Sequence, residues 1–99
     1  MQDEDTPFAA KALTRMAALF GRAALLPVVQ GLEAELHQAI DQPDTANAHR
    51  IAGLAGTLGF VDASASWQAV DQSGGDIDIA LRDSRIALVA IDGWLRQGE

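Results

Sequence analysis

The chain has no cysteine, which removes disulfide frameworks, thiol nucleophiles and zinc–thiolate sites from consideration. Basic residues are scarce, with seven Lys and Arg against fourteen Asp and Glu and a formal charge of −7. Nucleic acid and anionic membrane surfaces would repel such a chain, so neither is an expected partner. No apolar run approaches the roughly 18 residues that a membrane-spanning helix requires. The first five residues, Met1 to Asp5, are acidic rather than basic, the wrong start for a secretory leader. The expected location is therefore the cytoplasm. Aromatic residues are limited to three Phe and two Trp, and β-branched residues never alternate for long. No sheet is expected. The Gly-containing stretch "GLAGTLG" lacks a following lysine and a preceding strand, so it is a poor phosphate loop. Without a nucleotide-binding motif, the chain is not expected to be an enzyme with kinase activity of its own.

What the sequence does contain is alanine, aliphatic residues and helical periodicity, in an amount that fits one domain of 99 residues. Thr6 followed by Pro7 reads as a cap and first residue of a helix over about 7–20, ended by Gly21. Leu25, Val28, Val29, Leu32, Leu36 and Ile40 recur at helical spacing over 22–41, with Pro27 in the early turns. Asp41-Gln42-Pro43-Asp44 breaks that helix, and Asp44 is placed to cap a third over about 44–58. Asp62 reads as the cap of a fourth over 63–72. Asp76, after the Ser73-Gly74-Gly75 turn, caps a fifth over 77–97. Short connections imply antiparallel neighbours. The expected fold is all-α: an antiparallel four-helix bundle, with the first helix as an addition at the N-terminus.

The third helix carries the informative residue. On a wheel of about 100° per residue, Ile51, Leu54, Ala55 and Leu58 share one face with Ala48 beside it. His49 lies about 200° from Ile51, on the solvent side. Its neighbours one and two turns on are Ala52, Gly53 and Gly56. Each mid-helix glycine costs about 1 kcal/mol against alanine. Such residues serve either close helix packing or close approach by something external. Their position on the histidine side favours the second use, with Gly56 also able to border another helix. The plain alternative is a surface histidine on an alanine-rich helix. The sharper one is an imidazole nucleophile that a partner protein must reach.

The run His49-Arg50-Ile51-Ala52-Gly53-Leu54-Ala55-Gly56-Thr57-Leu58-Gly59 resembles the motif of histidine-containing phosphotransfer (HPt) domains. That motif reads histidine, any residue, leucine, lysine, glycine, four variable and mostly small residues, leucine, glycine. His49, Ile51, Gly53, Leu58 and Gly59 match it in spacing and character, Ala48 precedes the histidine as alanine often does, and Ala52 stands at the lysine position. The chain length and the helix layout around the motif also suit the family.

The resemblance implies that His49 takes a phosphoryl group from one receiver-domain aspartate and passes it to another. It implies response-regulator receiver domains and a (hybrid) histidine kinase as partners. The metal ion would come with the receiver, so no cofactor or metal site is expected in this chain. Ala46, Arg50, Ala52, Gly53, Gly56 and Thr57, with parts of the second helix such as Leu25 and Val29, are the expected access and docking surface. Gln68 is the candidate for hydrogen-bond support from the fourth helix. A monomer is expected. A module that binds a receiver or kinase without taking phosphate is the rival, motivated by Ala52, and a plain helical scaffold is the third reading. His37, near Leu36 and Ile40, reads as an ordinary histidine at the polar face or its boundary.

Overall fold

A computed structural model describes the backbone of residues 8–97 and the side chains of 11–97. It contains α1 (Phe8–Phe20), α2 (Arg22–Asp41), α3 (Ala48–Thr57), α4 (Val61–Ser73) and α5 (Ile77–Gln97), with no strand among the described residues. The expected Thr6–Pro7 start of α1 lies outside the described residues. No helix among them is long and apolar enough to cross a membrane.

The helix boundaries follow local chemistry, with two corrections. Asp44 does not cap α3. Its Oδ1 accepts the Ala46 N–H at 3.0 Å, a local turn of the kind Asp and Asn side chains form with the backbone two residues on. That turn holds residues 45–47 out of the helix, which starts at Ala48. Asp62 is not a cap either, because α4 starts at Val61 and puts Asp62 in the first turn. There a carboxylate still complements the helix dipole. Asp76 does act as a cap: its Oδ1 accepts the Asp78 N–H at 2.9 Å.

The end of α3 is built on Gly59. Its φ of 90° lies in the left-handed region, and the Phe60 N–H reaches back to the Ala55 carbonyl at 2.8 Å. A Cβ at Gly59 would also stand 2.7 Å from the Cβ of Ala12, because α1 crosses there. Both the backbone angle and the α1 contact therefore require glycine.

Packing follows the apolar stripes. α3 packs on α2 and α4; α5 packs on α4, α2 and α1; α1 also packs on α2. Leu13, Val29, Leu32, Leu36, Ile51, Leu58, Trp67, Ile91 and Trp94 form the fully enclosed centre. Each large aliphatic side chain removed from water in this way contributes about 1.5–3 kcal/mol before conformational entropy is counted. Arg22 fastens the start of α2 to the end of α5. Its guanidinium lies 3.9 Å from the Trp94 ring centroid and donates to the Trp94 and Leu95 carbonyls at 2.8 and 3.0 Å. The cation satisfies carbonyls that the helix terminus would otherwise leave open.

Candidate functional site

The core face of α3 is the expected one. Ala48, Ile51, Ala55 and Leu58 are buried and Leu54 is half-buried. The buried arc extends one residue further than periodicity indicates. Ala52 is only 4% exposed, so it does not belong to the open surface around His49. The reason is the close approach of α4. The Ser64 hydroxyl donates to the Ala52 carbonyl at 2.9 Å. A Cβ on Gly56 would meet the same Ser64 oxygen at 3.0 Å. Ala52 and Gly56 are thus small because α4 lies against them. Gly56 remains exposed on its other side, but its glycine serves helix packing first.

Gly53 is different. No described residue lies within 4 Å of where its Cβ would be, and the residue is exposed. No packing among the described residues accounts for a glycine there. This contrast yields a stability test. Gly53→Ala is expected to raise stability by about 0.5–1 kcal/mol through helix propensity alone. Gly56→Ala should gain less or lose, because Ser64 must move and its bond to Ala52 with it. Urea denaturation of the two variants checks the order.

His49 stands beside Gly53 with its side chain 89% exposed. Its Nδ1 lies 3.2 Å from Asp71 Oδ2, on the C-terminal part of α4. A carboxylate only accepts, so this is a hydrogen bond when Nδ1 carries the proton. Nε2 is then the nitrogen with the free lone pair. Gln68, one turn earlier on α4, is exposed and is not the ring's partner; the α4 side chain that meets the ring is Asp71. Among the described residues no third His, Asp or Glu joins the pair in a group that could hold a metal ion.

Arg50 turns away from the histidine, as its place on the wheel requires. Its Nη1 donates to Glu35 Oε2 on α2 at 2.8 Å. Ala46 is exposed in the turn before α3, and Thr57 is exposed at its end, donating to the Gly53 carbonyl at 2.9 Å. Leu25 and Val29, expected as docking residues, are buried in the core. They belong to the apolar stripe of α2, whose inner face is fully used by its neighbours. His37 is exposed on α2.

With Nδ1 protonated, the arrangement leaves Nε2 as an exposed ring nitrogen with a free lone pair, opposite the Asp71 carboxylate and beside the open Gly53. No family model matches the chain, and comparisons with curated proteins and with solved structures return no match.

Proposed function

We propose that the chain is a histidine phosphotransfer protein of a cytoplasmic phosphorelay. In this reading α2–α5 form an antiparallel four-helix bundle of the HPt type with α1 added. His49 accepts a phosphoryl group from a receiver-domain aspartate, passes it to another, and is charged upstream by a (hybrid) histidine kinase. The observation that carries the reading is the exposed His49 ring with Nδ1 on Asp71 and Gly53 open beside it.

The chemistry follows from that geometry. Nε2 attacks phosphorus, the P–O bond to the donor aspartate breaks, and the carboxylate leaves with its electron pair. No proton has to move. Nδ1 keeps its hydrogen, the ring becomes a phosphoimidazolium, and Asp71 faces the new positive charge. In the onward step the ring leaves as neutral imidazole rather than as the far poorer imidazolate. Positioning and charge compensation are the main demands of phosphoryl transfer. The receiver's metal ion would compensate the phosphoryl oxygens, because the motif's lysine position is the buried Ala52. Ala46, Arg50, Gly53 and Thr57 are exposed and would be the surface offered to a receiver, Arg50 from the α2 side, where it holds Glu35.

Incubation with a phosphorylated receiver tests this. The expected product carries an acid-labile, base-stable label that is absent from His49→Gln. Binding of the receiver without label would favour the non-transferring interaction module. Neither label nor binding across a panel of receivers would leave only the scaffold.

A further inference from the structure

The outward face of α5 carries a second ordered pattern that the phosphotransfer reading does not use. Ile79, Arg82, Ile86, Val89, Gly93 and Arg96 follow one another at alternating steps of three and four residues. This is the 3.5-residue repeat of a helix that pairs with another helix. Among the described residues nothing covers this face. Ile79, Ile86 and Val89 are 44%, 58% and 70% exposed, and a Cβ on Gly93 would meet none of the described residues within 4 Å. Three apolar side chains in one row on a solvent face are more than scattered surface residues require.

The identity of the occupant follows from the order of the residues. In a parallel pair of α5 helices, Arg82 would meet Arg82 and Arg96 would meet Arg96, placing like charges in the seam. In an antiparallel pair with the two-fold axis between Ala87 and Leu88, each mismatch disappears. Ile86 packs on Val89 of the second copy and Val89 on its Ile86. Arg82 falls opposite Gly93, where the missing side chain leaves room for it. The flanking charges match as well. Arg85 has no ion pair with a described residue, and the pairing brings it beside Asp92 of the second copy, twice by symmetry. Asp92 already holds Arg96 of its own helix at 3.0 Å, so the two copies would build a small charge network at each flank. A two-fold contact requires a surface to complement itself, and this one does.

We infer that α5 is a self-association surface, and that the chain forms an antiparallel, two-fold dimer through it. This departs from the monomer expected from the sequence. α5 does not carry the histidine: His49 is on α3, which packs on α2 and α4. Self-association through α5 therefore does not depend on phosphotransfer at His49. One helix pair with three apolar residues a side is a contact at the small end of specific interfaces, so the dimer should be concentration-dependent.

The absence of cysteine makes the test clean. Sedimentation equilibrium of the full chain should show a monomer–dimer equilibrium between about 10 μM and 1 mM. Val89→Glu should leave it monomeric throughout, with an unchanged helical circular dichroism spectrum. Arg85→Asp should weaken the dimer by about fivefold, as two exposed ion pairs would, and Arg85→Asp combined with Asp92→Arg should restore it. Under mild oxidation, Ile79→Cys mixed with Arg96→Cys should give the mixed disulfide dimer, whereas Ile79→Cys alone should not cross-link. A wild-type chain monomeric to about 1 mM, a dimer insensitive to Val89→Glu, or an Ile79→Cys homodimer would each overturn the inference.

Discussion

Asp71→Ala should slow phosphoryl acceptance at His49 by roughly 10- to 100-fold, the usual cost of removing a partner that orients a functional imidazole. Asp71 touches neither the phosphoryl group nor the donor in the proposed geometry. In that geometry it would act through the ring, by the 3.2 Å contact with Nδ1. Without it the proton distributes between both nitrogens, and every ring protonated on Nε2 is unreactive at that atom. The cationic ring formed on phosphorylation also loses its facing carboxylate. Two readouts separate this role from a structural one. Nitrogen-15 NMR of the unphosphorylated protein should show Nδ1–H dominant in the wild type and a mixed tautomer in Asp71→Ala. Asp71→Asn keeps an oxygen acceptor without the charge, so it should recover the tautomer and only part of the rate. Phosphoramidate as a small donor removes any contribution from receiver docking. An unaltered tautomer balance and rate in Asp71→Ala would show that the contact is incidental, while His49→Gln would still report on phosphotransfer itself.

The parts of this site that were legible in the sequence are those set by one helix alone. The spacing of Ile51, Ala55 and Leu58 fixes which side of α3 is buried, and so turns His49 outward. What lay between helices was not legible. Alanine suits a core face and an open face equally well, so nothing in periodicity says that Ala52 is covered. Its burial depends on how near α4 comes, which depends on Gly56 and Ser64 meeting across the interface. Asp71 is 22 residues from His49 in the chain. Its only trace in the sequence is that it stands three positions after Gln68, one turn along the same face of α4. Leu25 and Val29 illustrate the opposite failure. They were already part of an apolar stripe, and the stripe, rather than nearness to a presumed docking face, decides where such residues go. The misplacement of Asp44 has a local cause, since its side chain satisfies a turn two residues on before any helix can begin.

The largest stability effect is expected where α4 meets α5 through a polar contact inside the core. Trp67 and Ser84 are both fully buried. The indole Nε1–H donates to Ser84 Oγ at 2.9 Å, and the Ser84 hydroxyl donates to the Ala80 carbonyl at 2.7 Å. Ser84→Ala removes the acceptor that, among the described residues, serves a donor that water cannot reach. An orphaned buried donor costs about 1–3 kcal/mol, which for a chain of this size lowers Tm by roughly 5–20 °C. The Ala80 carbonyl loses little, because within α5 it still accepts a backbone N–H four residues on. Trp67→Phe deletes the donor but leaves a gap in the core, so it is destabilising for another reason. The two costs should not add. Once the indole N–H is gone, Ser84→Ala orphans nothing, and the double variant should be more stable than the sum of the single losses predicts by about 0.5–3 kcal/mol. Urea denaturation of the four proteins measures this coupling directly. Additive losses would mean that the hydrogen bond contributes no more than the packing around it.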